Sequence, residues 1–144
     1  MPEYVLGIDF GQKRIGLAVG QTLSYAANPT KVLPNNKDFF KLLSEEIKEW
    51  NISQIIIGLP LGMDGEEQEI TRQVKNFSQK VQRHSQLPVH LVDERLSSYE
   101  AERRFAESRS AQMSKAKDKK NIDAFAAQII LQSWLDQQQL KSMP

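Results

Sequence analysis

The sequence predicts an α/β fold: a mixed β-sheet with an antiparallel three-strand start, then parallel strands, flanked by helices. Three observations carry this prediction. Two short apolar runs, residues 4–10 and 14–19, are separated by Gly11-Gln12-Lys13, a glycine-containing gap of hairpin length. Ile55-Ile56-Ile57, inside residues 52–58, reads as a strand buried on both faces, as strands of parallel sheets are. Around these runs, stretches with helical apolar spacing alternate with strand-like ones to the end of the chain.

Element by element, residues 4–10 (YVLGIDF) are rich in strand formers, and RIGLAV at 14–19 returns beside them. A third strand over 26–33 contains Pro29, which cannot donate to a ladder and so assigns this strand to an edge. Asn35-Asn36 precedes a helix over 37–50, with Phe39, Phe40, Leu43, Ile47 and Trp50 as its apolar stripe. After the isoleucine strand, a polar helix over 66–84 places Ile70, Val74, Phe77 and Val81 on one side. Residues 87–92 form the next strand, and Ser97 with Glu100 has the spacing of a capping box that starts another helix. The last helix runs over 121–137, with Ile122, Phe125, Ala126, Ile129, Ile130 and Trp134 as its apolar side. Both tryptophans are read as core, and His84 and His90 as surface or strand residues. The outcome is a single domain over 1–138 and a disordered tail over 139–144.

Composition narrows the chemistry. The 144 residues include no cysteine, which excludes disulfides, thiolate nucleophiles, zinc ribbons and iron–sulfur sites, and two histidines leave little for an imidazole metal site. No apolar run has the length of a membrane span and the N-terminus shows no leader pattern, so the expected location is cytoplasmic. A net charge of +1 does not announce a nucleic-acid binder. Its distribution says more, because residues 103–120 hold seven basic side chains against Glu107 and Asp118. Such a run is either a solvated connector or a mobile basic arm for phosphates.

Three acids sit against the pattern. Asp9 interrupts the apolar run VLGIDF, and a buried carboxylate needs a cation, a metal or backbone N–H partners. Its alternatives are the turn at Gly11 or a pair with Lys13 or Arg14. Asp93 and Glu94 lie just past a strand, where open α/β sheets place their ligand crevices. Adjacent residues of extended chain point to opposite sides, so one of the two faces the crevice, and the pattern leaves both open. Asp123 suits a helix start through the macrodipole, yet it lies between Ile122 and Ala124-Phe125-Ala126-Ala127 and so looks inward. Three acids from distant segments gathered beside one sheet would require divalent cations, and oxygen ligands select Mg²⁺ or Mn²⁺. Such ions can activate water for phosphodiester hydrolysis. The turn Gly58-Leu59-Pro60-Leu61-Gly62 adds a place for close backbone approach.

GIDFGQKRIGLA at 7–18, IGLPLGMDG at 57–65, DERLSS at 93–98 and DAFAAQIIL at 123–131 together resemble the bacterial YqgF/RuvX family over nearly the whole chain. The resemblance implies a ribonuclease H-like fold related to the Holliday-junction resolvase RuvC. It implies a nuclease maturing the 5′ end of pre-16S rRNA, with resolvase-like activity on branched DNA as the older assignment. It also places Asp9, Glu94 and Asp123 on the acidic catalytic and metal positions, choosing Glu94 over Asp93. Lys13, Arg14, Arg95 and Lys119 fall on the basic positions near the phosphate backbone. The chain departs from the family at SRSAQMSKAKDKKN, where glycines are usual. It also has no acid one helical turn after Asp123, where RuvC-like enzymes carry a fourth.

Two further classes compete with a nuclease. A non-catalytic RNA-binding ribosome assembly factor would keep the acids for structure and bind RNA in a salt-sensitive way. A kinase- or actin-like ATPase would need a second lobe and a phosphate loop; the GIDFG opening is shared, but no G-x-x-x-x-G-K-[ST] is present. A junction-cleaving enzyme would act as a homodimer and a leader-cleaving one could act as a monomer; the sequence does not choose.

Overall fold

Strand β1 (Tyr4–Asp9) is central: β2 (Arg14–Gln21) pairs with it antiparallel and β4 (Ile52–Leu59) pairs with it parallel. The structure, a computed structural model, describes residues 3–94 and 119–142. Strand β3 (Ala26–Pro34) pairs antiparallel with β2, and β5 (Val89–Asp93) parallel with β4, giving the order β3-β2-β1-β4-β5. Three antiparallel strands followed by two parallel ones is the order the sequence predicts. The helix expected to start at Ser97 lies outside the described residues.

Helices α1 (Phe39–Trp50) and α2 (Glu69–Ser85) cover one face of the sheet, and α3 (Lys119–Ser142) covers the other. The strand alternation sorts the side chains cleanly. Leu6, Ile8, Ile15, Leu17, Ile55 and Ile57 face α1 and α2 with Phe39, Leu43, Val74, Phe77 and Val81. Val5, Ala18 and Ile56 face α3 with Ala127, Ile130, Leu131, Trp134 and Leu135. Each fully buried Leu or Ile contributes roughly 1.5–3 kcal/mol, so the two apolar layers outweigh any surface pairing. Ile55, Ile56 and Ile57 are wholly buried, as a strand covered on both faces requires.

The edge assignment of β3 follows Pro29. Leu17 pairs with Lys31 and Ala18 with Pro29, so Thr30 is an extra residue, a β-bulge that absorbs the missing donor. The Thr30 hydroxyl donates back to the Leu17 carbonyl at 3.1 Å. Two glutamines of α3 reach the same edge strand. Gln128 Nε2 donates to the Ala27 carbonyl at 2.9 Å, and Gln132 Oε1 accepts from the Ala27 N–H at 3.0 Å. Asn35 closes the next connection, its Nδ2 donating to the Gly11 carbonyl at 2.8 Å and its N–H to the Lys13 carbonyl at 3.0 Å.

Three expectations are corrected. Trp50 is not core: it is 37% exposed at the end of α1, leaning against Tyr4 at 6.5 Å between ring centroids. The buried stripe of α3 is Ala124, Ala127, Ile130, Leu131, Trp134 and Leu135, while Ile122 is exposed and Phe125, Ala126 and Ile129 are half-buried. The helix is turned because small residues lie against the sheet, a phase that the run AFAAQIIL, apolar but for Gln128, does not reveal. Residues 139–142, expected in a tail, continue α3 to Ser142, whose Oγ accepts a bond from the Tyr25 hydroxyl at 3.3 Å.

Candidate active site

β1, β4 and β5 run parallel, so their carboxyl ends meet at one edge of the sheet. Asp9 is the last residue of β1, and Glu94 follows the last residue of β5. By strand alternation Asp9 shares the face of Val5 and Gly7, the one that α3 covers. The acid that breaks the apolar pattern of β1 therefore points toward the helix that carries Asp123.

Two glycines make room for this meeting. Gly16 is the register partner of Asp9 on β2, and a Cβ there would overlap the Asp123 carbonyl oxygen. Backbone of α3 thus lies directly on backbone of β2, beside Asp9. On the opposite flank, a Cβ on Gly58 would meet Ile130 Cδ1 at 2.5 Å and Glu94 Oε1 at 2.9 Å. Asp9 is consequently bracketed, with Asp123 over β2 and the Glu94 carboxylate over β4. The sequence places Gly58 in a glycine-lined turn for backbone approach, whereas it lies inside β4 and the side chains of Ile130 and Glu94 come close to it; the contribution of Gly16 was missed. Its signal was alternation, since glycine or alanine occupies positions 16, 18 and 20 on one face of a single strand.

Electrostatics register the crowding. Burial, then the charge of Glu94, then that of Asp123, push the Asp9 carboxyl from 3.8 up to about 7. Near neutrality Asp9 is therefore the acid that shares its proton with solvent. Glu94 is raised as well, first by burial and then by neighbouring Asp93.

Asp123 has a basic neighbour. Arg14 Nε lies 3.1 Å from Asp123 Oδ2, with the arginine side chain half exposed and the aspartate 27% exposed. That oxygen is buried and accepts no hydrogen bond among the described residues, so the N–H is not aimed at it. The contact is one of charge without direction. Among the described residues no three acidic or histidine side chains stand close enough around one point to hold an ion. The trio is gathered but not closed.

The remaining predicted residues divide. Lys13 is exposed in the β1–β2 turn, next to Arg14. Lys119 is the first residue of α3, one turn before Asp123. Arg95, and the basic run of residues 103–118, lie outside the described residues. His84 stacks on Phe40 and His90 on Trp134, and His90 Nε2 lies 2.9 Å from Gln54 Oε1, all away from the acids.

The loop after β4 is tied down from α2. Thr71 Oγ1 accepts the Gln68 N–H at 2.9 Å and donates to the Pro60 carbonyl, joining the first turn of α2 to the chain just past β4. Met63 stands almost wholly exposed at the tip of this loop.

Comparison with known proteins bears on the family and the fold. The family described as RuvX, Holliday junction resolvase, matches residues 3–137. A protein of Maridesulfovibrio salexigens, provisionally named a pre-16S rRNA nuclease, is 47% identical over 133 residues, covering 91% of this chain and 96% of its own. One of Hydrogenovibrio crunogenus with the same provisional name is 40% identical over 134 residues, 92% of each chain. Among solved structures, Thermus thermophilus RuvC in complex with a Holliday junction superposes with a TM-score of 0.59 at 14% identity, over 95% of this chain and 96% of that one. The fowlpox virus resolvase with junction DNA gives 0.58 at 12% identity, over 94% and 98%. At such identities the two resolvases establish a common fold, the ribonuclease H-like one that the resemblance implied.

Proposed function

This chain belongs to the RuvX family, and from that membership and its acidic pocket we propose that it is a divalent-metal-dependent nuclease cleaving phosphodiester bonds. One observation carries the reading: three carboxylates from three distant segments approach one another at one sheet edge, where burial, then the charges of Glu94 and Asp123, hold Asp9 protonated up to about pH 7. A protein gains nothing in stability from such a cluster.

The donor set fits the ion that the fold implies. All three groups are hard oxygen donors, and Asp123 Oδ2 is buried and accepts no hydrogen bond among the described residues. Asp9, Glu94 and Asp123 would hold Mg²⁺ or Mn²⁺, which when bound polarises a phosphoryl oxygen and lowers the pKa of water. The chain's own work is placement. β1 and β5 fix two of the acids at strand ends, and Gly16 lets α3 bring in the third. Lys13, Arg14, Arg95 and Lys119 would hold the nucleic-acid backbone by its phosphates, which sets register without reading sequence.

The names of the relatives support pre-16S rRNA as substrate; we propose cleavage near its 5′ end, in the cytoplasm. The family's description favours a second reading, a four-way DNA junction. Junction resolution demands two symmetric cuts and hence a homodimer, whereas a leader is cut by one copy. Both substrates should be offered side by side with Mg²⁺ or Mn²⁺. Asp9→Asn is expected to lower cleavage at least about a hundredfold, with folding intact by circular dichroism. Equal rates for the two proteins would refute the assignment, and RNA binding without cleavage under any divalent ion would make the chain an assembly factor.

A further inference from the structure

We propose that Arg14 is the built-in counter-cation of the acidic pocket: before an ion binds it neutralises Asp123, and on loading it moves to a phosphate of the nucleic acid. This deepens the nuclease reading and rests on the trio being an ion-binding site.

Geometry supplies the argument. The guanidinium stands 3.1 Å from Asp123 Oδ2, yet that buried oxygen accepts no hydrogen bond among the described residues. A guanidinium committed to a structural pair docks its fork on the carboxylate with aligned N–H groups. Here it answers the charge alone, from a half-exposed position that leaves it free to swing. It is anchored at the first residue of β2, whose third residue, Gly16, is the partner of Asp9. The arginine thus sits at the mouth of the pocket and not behind it.

Competition follows from charge. A divalent ion reaching the trio needs the oxygen that Arg14 faces, and two cations on one buried carboxylate oxygen repel each other. Once the ion has neutralised the acids, they no longer repel a polyanion. The displaced guanidinium, planar and fork-shaped, then suits a phosphate better than the lysine beside it. Ion loading and substrate capture become one coupled event, and each tightens the other.

The test measures binding without turnover. Calorimetric titration of Mn²⁺ into the nucleic-acid-free protein should show Arg14→Gln binding at least about fivefold more tightly than wild type, and Arg14→Lys, which keeps the charge, within about twofold of it. RNA affinity, measured with Ca²⁺ in place of the catalytic ion, should fall several-fold in Arg14→Gln; with chelator present the loss should shrink. Circular dichroism checks that each variant folds, and Arg14→Lys carries the test if Arg14→Gln does not. Unchanged or weaker Mn²⁺ binding by a folded Arg14→Gln overturns the proposal, as does Arg14→Lys tightening like Arg14→Gln. An RNA loss equal with and without ion overturns the relocation. Absence of Mn²⁺ binding by wild type sinks the ion-site reading itself, and this proposal with it.

Discussion

Asp9 is where the residue scale decides most. In the unfolded chain its carboxyl titrates near 3.8, and in the folded protein at about 7. Between those values the folded state binds the extra proton, so stability is fully present below pH 4 and declines as pH rises through 7. The ion-free protein is therefore expected to lose up to a few kcal/mol at this site between pH 4.5 and 8, on the order of 1.4 kcal/mol per unit of difference. Asp9→Asn should remove that decline and unfold at higher denaturant concentration than wild type at pH 8 with chelator present. Denaturant titrations of both proteins at the two pH values check this; parallel pH profiles would contradict the electrostatic account. Asp9 was legible in the sequence because a carboxylate inside VLGIDF has no bland explanation that costs nothing. Glu94 was less so, since adjacent acids after a strand look alike until a neighbour such as Gly58 shows which one turns inward. Asp123 was legible in its setting, but its pairing with Arg14 was not. A contact between residues 109 positions apart leaves no local trace.

At the scale of elements, α3 is the part that makes a site out of a sheet. It rests on Gly7, Gly16, Gly20 and Gly58, each of which would strike it with an added methyl group. Gly16→Ala forces carbon against the Asp123 carbonyl, which is backbone and cannot rotate away. The variant is expected to lose about 1–3 kcal/mol of stability and to cleave at least about tenfold more slowly, because the start of α3 must lift. Gly62→Ala is the control: its added carbon meets the flexible ends of Asp64 and Gln68 at 3.2 and 3.4 Å, and should cost less than about 1 kcal/mol. Thermal melts and cleavage rates of the two variants separate the cases, and similar losses in both would defeat the explanation. The phase of α3 was the least legible element, because AFAAQIIL has Gln128 as its one polar residue and periodicity needs contrast. The glycines that set its phase were in plain view, but they lie on other strands. Elements with contrast read well: α2, polar on all but one stripe, shows its buried Val74, Phe77 and Val81 where the spacing put them.

For the whole molecule, the folded state and the bound ion are linked. An ion that binds only the folded trio stabilises the protein by about 2.7 kcal/mol at a hundredfold excess over its Kd. Mg²⁺ or Mn²⁺ is expected to raise the melting temperature of wild type at pH 8, and to leave Asp9→Asn almost unmoved. Equal shifts in the two proteins would mean that the ion binds elsewhere. The antiparallel start, the edge strand and the doubly covered strand were legible because each rule is local: a glycine turn for the hairpin, a proline for the edge, an isoleucine triplet for the strand covered on both faces. Trp50 escaped because a helical stripe does not announce where the layer beneath it ends.

Pro29 and the bulge at Thr30 have one more effect, on how the folded protein behaves in a crowd. A bare margin of sheet is a template on which a neighbour's chain can polymerise, the first step toward amyloid. Along β3 that template is spoiled three times over: an imide nitrogen with no hydrogen, a residue out of step, and glutamines already holding both polar groups of Ala27. The margin where the sheet could have grown without limit is where it stops.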